Sequence, residues 1–148
     1  MGAKVISINI SGKKGVRKKT VDEAVLKENY GIEGDAHASG KWHRQISLLA
    51  LESIKKMRDK GLNVNPGDFA ENITTGGVEL LSLPVGTRIT LGKDVELGIS
   101  QIGKTCHTRC AIYNQAGDCV MPKEGIFAKV LKGGLVKKGD KIKVLSSQ

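Results

Sequence analysis

Two cysteines lie among cationic side chains in residues 103–110 (GKTCHTRC). The thiolate is the nucleophilic form of cysteine, and a nearby positive charge lowers the pKa of a thiol because it favours that charged form. Cations on both sides of Cys106 could activate it in this way, so the sequence predicts that Cys106 is the reactive thiol, with Cys110 as a second candidate. The cationic neighbours are Lys104, His107 and Arg109.

Other roles for the cysteines stay open on the sequence alone. Cys119 could resolve an oxidised or persulfidated first thiol, or any of the three could be a small buried apolar residue. Three cysteines and one histidine would also complete a zinc site, but the chain lacks the Cys-x-x-Cys pair typical of such sites. Covalent haem attachment is excluded because it requires Cys-x-x-Cys-His in that order.

A second group of polar residues lies in residues 31–37 (GIEGDAH) and 44–49 (RQISLL). Arg44 can present a planar fork of donors to an oxyanion such as phosphate, with Asp35 and Gln45 nearby. In the alternative interpretation, Arg44 pairs with Asp35 and only holds two loops together. His37 and His43 are expected to be surface or hydrogen-bonded histidines rather than ligands.

A third group lies in residues 66–73 (PGDFAENI). Asn72 offers both a donor and an acceptor to a planar ring ligand, and Glu71 precedes it. Formation of a local turn explains Asp68 and Asn72 equally well.

The densest positive charge lies in residues 13–19 (KKGVRKK), which we expect to form a hairpin tip. A solvated loop is the first interpretation of such a run, and contact with a phosphate or a cofactor is the second. Lys14 is the speculative candidate for this contact.

The elements that must position these residues are mostly strands. Nineteen glycines against one tryptophan, two tyrosines and two phenylalanines indicate many tight turns between short elements. Alternating apolar residues predict strands at 5–10, 73–75, 88–91, 95–97, 99–102, 126–131 and 142–145, and residues 21–26 favour a strand over a helix. Ser47 to Lys60 is predicted to be a helix, capped by Ser47 and closed by Gly61. The sequence thus predicts one mainly β domain over residues 1–148, a compact barrel-like structure with one clear helix and a few short helical segments.

Composition narrows the classes of function. The formal net charge of +9 suits an anionic ligand or an acidic partner. Nucleic acid is an unfavoured partner because aromatic residues are not interleaved with the basic ones. The apolar stretch at 5–10 is too short for a signal peptide or a membrane span, so we expect a cytoplasmic protein without membrane association.

Taken in order, five blocks resemble the successive motifs of the MOSC family, the C-terminal domain type of molybdenum cofactor sulfurases, and most closely its small stand-alone bacterial members. The blocks are residues 31–37, 44–49, 67–73, 102–107 and 117–128, and the resemblance extends from about residue 4 to residue 145.

The resemblance implies a barrel-like fold and a pocket in which a cysteine carries sulfur as a persulfide or ligates molybdenum. Cys106 lies in the block that carries the family cysteine, and Cys110 is close enough to be an alternative. The positions that match pocket-lining residues of the family are Asp35, Arg44, Gln45, Glu71 and Asn72, with Lys14 as an addition.

The resemblance also sets expectations about cofactors and partners. The chain can bind the molybdenum cofactor (molybdopterin), and we expect no pyridoxal phosphate on it, because the desulfurase domain of the sulfurases is absent. Sulfur would then come from a separate cysteine desulfurase, and a molybdoenzyme is the other expected partner. No complete stand-alone active site is evident, so whether the chain is itself an enzyme stays open. A non-catalytic module that binds an anionic ligand or delivers cofactor is the alternative function.

Overall fold

Strands make up most of the regular structure of the chain. The computed structural model describes residues 2–12, 18–36, 38–41, 43–69, 71–103 and 124–147. The strands are β1 (Lys4–Ile10), β2 (Lys19–Val21), β3 (Glu23–Lys27), β4 (Gly31–Ile32), β5 (Ile46–Ala50), β6 (Ile73–Gly76), β7 (Thr87–Leu91), β8 (Val95–Ile102), β9 (Ile126–Lys132), β10 (Gly134–Lys137) and β11 (Ile142–Ser147), with a helix α1 (Leu51–Asp59) and a short 3₁₀ turn (Leu80–Ser82). The mainly β prediction is confirmed.

Eight of these strands form one curved sheet in the order β11-β7-β8-β9-β5-β6-β1-β2. The β5–β6 pair is parallel and the other pairs are antiparallel. The sheet curves until β1 meets the turn before β11, where Val5 N donates to Asp140 O at 2.8 Å and Ile142 N donates to Ala3 O at 2.9 Å. It remains an open, barrel-like sheet, and β10, β3 and β4 form a second, smaller sheet.

Two apolar clusters hold these layers together. The larger fills the inside of the curved sheet, where alternate residues of β7 and β8 are buried as the period-two pattern predicts. The smaller lies on the other face of β5, between the sheet and α1, and consists of Leu49, Ile54, Met57, Val64, Phe69 and Phe127. Since β5 is covered on both faces, Leu48 and Leu49 are both fully buried.

The predicted helix start at Ser47 is wrong. Residues 46–50 form the central strand β5, which pairs with β6 on one side and β9 on the other, and α1 begins only at Leu51. A continuous apolar run fits a helix and a doubly covered strand equally well, and pairing with two neighbouring strands decides between them. The residue before the helix, Ala50, makes no side-chain cap.

The other end of the helix and most predicted strands are confirmed. Lys56 and Arg58 lie in the last turn of α1, and Gly61 follows with a φ of +92°. Residues 95–97 and 99–102 form one strand rather than two, because Gly98 continues the pairing with Arg88 on β7. Within the described residues, no helix is both long and apolar enough to cross a lipid bilayer.

Candidate functional site

Polar side chains gather where β1 ends and β6 begins, on the face opposite the main core. Asn9, Asn72 and Thr74 are completely buried there, and Ser47 is nearly so. Asn72 links the strands because its Oδ1 accepts from Ser47 N at 2.9 Å and its Nδ2 donates to Asn9 O at 3.3 Å. Both ends of the Asn72 amide therefore serve the fold, and its contact with a ring ligand stays a prediction.

Glu71 is a carboxyl group buried in the same cluster. Its Oε2 accepts from Thr74 Oγ1 at 2.7 Å and from Gly67 N at 3.0 Å, whereas Oε1 has no hydrogen-bond partner among the described residues. Burial raises the pKa of Glu71 above its ordinary value, against the lowering effect of the Gly67 and Thr74 hydrogen bonds. The Glu71 side chain is 0% exposed, so it supports the neighbouring residues of the site and does not contact solvent.

Asp35 forms a buried ion pair with Lys18. The Lys18 Nζ lies 2.6 Å from Asp35 Oδ1, and Ser11 N donates to the same oxygen at 3.1 Å. Burial alone would raise the pKa of Asp35, but the hydrogen bonds from Lys18 and Ser11 and the charge of Lys18 hold it below its ordinary value. Among the described residues, Asp35 therefore pairs with Lys18 and not with Arg44 as the loop-holding alternative supposed.

Lys18 and Lys19 are the residues of the basic run at 13–19 that the structure describes. Lys18 is 5% exposed, so at this position the solvated-loop interpretation is wrong. Its backbone N donates to Gly67 O at 2.9 Å, which ties the hairpin between β1 and β2 to residues 66–73. Lys14 lies outside the described residues.

Gln45 is buried and bridges two chain segments. Its Nε2 donates to Asn29 Oδ1 at 2.9 Å, and its Oε1 accepts from Val130 N at 3.0 Å. Asn29 has a φ of +51°, an uncommon conformation for a residue other than glycine. Gln45 thus holds the turn between β3 and β4 against β9, and its predicted cofactor contact is untested.

Arg44 lies just before β5, above an aromatic ring. Its guanidinium carbon is 5.3 Å from the ring centroid of Phe127, a cation–π distance. Phe127 is paired with Ser47 of β5 on one side and with Gln101 of β8 on the other. Arg44 is half-buried, with a buried Nε, and is the least buried of the five described family positions, since the other four are buried.

His43 and Gln101 continue this surface towards the cysteine-bearing segment. A His43 ring nitrogen lies 2.8 Å from Gln101 Oε1, and Gln101 Nε2 donates to Gly103 O at 2.7 Å. The sequence prediction of a hydrogen-bonded histidine is confirmed for His43. Gln101 and Phe127 were missed as site residues, and only the position of Phe127 in the last family block could have indicated it.

The cysteine-bearing segment begins and ends at this place. Gly103 N donates to Gly125 O at 2.6 Å, next to the antiparallel pair of Ile102 and Ile126. Glu124 is held by α1, because its Oε1 accepts from Ser53 Oγ at 2.6 Å and from Lys56 Nζ at 3.1 Å. His37 and residues 104–123 lie outside the described residues. The segment 104–123 includes Cys106, Cys110 and Cys119 with Lys104, His107 and Arg109.

A guanidinium has the planar donors that bind an oxyanion, and contact of Arg44 with an anion stays a prediction. In the ranges that the structure describes, no three His, Cys, Asp or Glu residues are grouped so that they could hold a metal ion. The described family positions divide into the half-buried Arg44 and a buried set that holds the loops together (Asp35, Gln45, Glu71 and Asn72).

Comparisons with known proteins agree with this architecture. A family model described as the MOSC domain matches residues 35–143. The YuaD protein from Bacillus subtilis has a similar crystal structure, with 23% identity, a TM-score of 0.82 and coverage of 100% of this chain and 98% of that chain. YiiM from Geobacillus stearothermophilus (20% identity, TM-score 0.73, 97% and 75% coverage) and YiiM from Escherichia coli (20%, 0.67, 98% and 71%) are also similar. At these identities the likeness shows a shared fold. A search of curated proteins gave no match.

Proposed function

Because the chain belongs to the MOSC domain family, we propose that it is a sulfur-carrier or molybdenum-cofactor-binding protein that works through Cys106 in a basic pocket. MOSC is the C-terminal domain type of molybdenum cofactor sulfurases. The family supplies the coarse function, and the assignment to Cys106, with Cys110 as the alternative thiol, is ours.

The position of Arg44 is the observation that supports this proposal. Its guanidinium lies over Phe127, which pairs with Gln101, and Gln101 is hydrogen-bonded to Gly103. Cys106 follows Gly103 by three residues in the sequence. A permanent cation near the base of this segment favours the thiolate over the thiol and therefore favours a nucleophilic Cys106.

The sulfur-transfer step needs no external oxidant. The Cys106 thiolate attacks the outer sulfur of a donor persulfide, such as the one that a cysteine desulfurase forms. A sulfur–sulfur bond forms on Cys106 while the bond in the donor breaks, and the donor cysteine leaves as a thiolate. The negative charge passes from Cys106 to the donor. The outer-sulfur proton of the new persulfide then passes to the donor thiolate or to solvent, and the positive surroundings proposed for Cys106 would stabilise the persulfide anion that remains.

The described residues fit one part of the molybdenum cofactor, its phosphate. Arg44 is half-buried, and its planar donors match a phosphate in a bidentate manner. Asn72 and Gln45, the amides that could recognise the pterin, are engaged inside the protein. When bound, molybdenum would supply atom-transfer chemistry. Within this chain Arg44 would orient the phosphate, and Cys106 is the proposed metal ligand.

The carrier role is tested by incubating reduced protein with a cysteine desulfurase and cysteine and measuring the intact mass. We expect the wild type to gain the mass of one sulfur atom, and we expect Cys119→Ser, the matched cysteine control, to gain it too. Cys106→Ser should gain none. Equal addition on Cys106→Ser and the wild type, or no addition on either, would count against the carrier role.

Cofactor binding is tested by titration with isolated molybdopterin cofactor at low and high salt. We expect salt-sensitive binding that weakens in Arg44→Gln and also in Cys106→Ser if the thiol contacts the cofactor. Binding that Cys106→Ser leaves unchanged would support the alternative function, a non-catalytic module that binds or delivers the cofactor, and would refute the role of Cys106 as a ligand.

A further inference from the structure

A cleft of about 470 Å³ opens where the start of β1 meets the turn before β11. Its lining consists of Gly2, Ala3, Lys4, Gly139, Lys141, Ile142 and Lys143. Lys4 precedes Asn9 by five residues along the extended strand β1, a separation of about 17 Å. The cleft is therefore distinct from the buried polar cluster around Asn9 and Asn72.

Three lysines converge on this cleft. Lys4 and Lys141 face each other in an antiparallel bridge, and Lys143 follows Lys141 by two residues, so strand geometry directs the two side chains to the same side. All three are exposed, and within the described residues none forms an ion pair. Asp140 in the same turn accepts from Lys137 N through its Oδ2 at 2.8 Å, and its single negative charge balances only part of the charge of three lysines.

Placing three lysines together is unfavourable unless an anion neutralises part of their positive charge. Like charges placed directly opposite on neighbouring strands destabilise the pairing. Three lysines around one small opening suit a phosphate, which carries more negative charge than a single carboxylate and accepts several charge-assisted hydrogen bonds. The volume falls within the range typical of small-molecule sites, and Ala3 and Ile142 provide an apolar wall.

We propose that this cleft binds the phosphate of a small phosphorylated molecule, whose organic part packs against Ala3 and Ile142. Lys4, Lys141 and Lys143 are the phosphate-binding residues. The site goes beyond the sulfur or cofactor role of the chain and needs no cysteine.

The test is calorimetric titration of the full chain with ADP, inorganic diphosphate and adenosine. ADP and diphosphate should bind and adenosine should not. Tighter binding of ADP than of diphosphate shows that the organic part contributes, whereas equal binding identifies the inorganic anion as the ligand of the same site. Absence of binding by both anions, or equal binding of adenosine, overturns the proposal.

Two double variants that lose the same charge distinguish a specific binding site from a general effect of net charge. Lys141→Gln/Lys143→Gln should weaken ADP binding by about tenfold or more, the loss of two charge-assisted contacts. Lys27→Gln/Lys55→Gln removes two exposed lysines elsewhere and should change it by about twofold at most, because solvent and salt screen distant charges. Equal weakening in both double variants refutes a site.

Two further measurements complete the test. A single-stranded oligonucleotide that binds more tightly than ADP would identify a nucleic-acid surface and overturn the small-molecule assignment. Cys106→Ser should bind ADP as the wild type does, so a failure of the sulfur-carrier proposal leaves this result unchanged.

Discussion

Removing one charge of the Lys18–Asp35 pair should destabilise the fold far more than removing a surface ion pair. The two charged atoms are 2.6 Å apart, and the side chains are 0% and 1% exposed. Asp35→Asn keeps the shape and an acceptor for Ser11 N but leaves the Lys18 ammonium buried without a counter-charge. Lys18→Met leaves the opposite defect.

The magnitude follows from the distance and the burial. At an effective dielectric constant of about 20, two charges this close attract by about 6 kcal/mol, and the cost of removing both from water offsets much of that attraction. Breaking a buried pair from one side typically lowers the free energy of unfolding by about 3–5 kcal/mol. Each single variant should show this loss, and the double variant should lose less than the sum by about 2 kcal/mol or more.

The measurement is a double-mutant cycle of denaturant unfolding. The matched control is the pair Arg88–Glu96, whose atoms are 3.6 Å apart and whose side chains are 32% and 23% exposed. A cycle of Arg88→Met and Glu96→Gln should give a coupling below about 1 kcal/mol. Additive losses at Lys18 and Asp35, or a coupling no larger than that of the control pair, would refute the assignment of a strong buried pair.

The free energy of unfolding at acid pH provides an independent check on the Lys18–Asp35 pair. The folded-state pKa of Asp35 is lowered from its ordinary value of 3.8. Its contribution to the free energy of unfolding is therefore complete above pH 3.8 and is lost as the pH falls through the folded-state value. Asp35→Asn should lose less stability than the wild type over this acid range, and parallel curves would contradict the lowered pKa.

Three other perturbations test the site and its support. Burial raises the pKa of Glu71 above 4.5, so the folded protein holds this proton more tightly and the free energy of unfolding should fall as the pH rises from 4.5 through the folded-state value. Glu71→Gln cannot ionise and should lack this fall in denaturant unfolding at stepped pH, whereas the same slope in both proteins would contradict the raised pKa. Arg44→Met should raise the pKa of the Cys106 thiol, and a rise of one unit slows alkylation of this thiol near neutral pH by about tenfold. An unchanged pH profile of alkylation would show that the charge of Arg44 does not act on the thiol. Gly67→Ala should lower the free energy of unfolding by more than about 1 kcal/mol beyond Gly61→Ala, because both have a φ of +92° but only at Gly67 would the new Cβ lie 2.6 Å from a backbone oxygen. Equal losses in thermal unfolding would show that this close approach is harmless.

Local sequence pattern predicted most of the strands and failed at one central element. Alternation identified β7, because one face of this strand is buried in the core and the other is only partly buried. It also identified β1, although the polar residues of β1, Ser7 and Asn9, are buried as well. It failed at Ser47, since a strand covered on both faces has no alternation to detect. Lys56, Arg58 and Gly61 marked the end of α1 correctly, because end effects of a helix depend on the residues within its last turn.

The sequence by itself determined which residue types are present and their local spacing: the cysteines among cations, the five family blocks and the mainly β pattern. Only the tertiary structure decided the partner of each buried polar group. Asp35 pairs with Lys18 across 17 residues, and Gln45 bonds to Val130 across 85 residues. A buried charge or amide must find a partner because it has lost water. Which partner it finds depends on how distant strands are aligned, and that alignment follows from packing of the whole sheet.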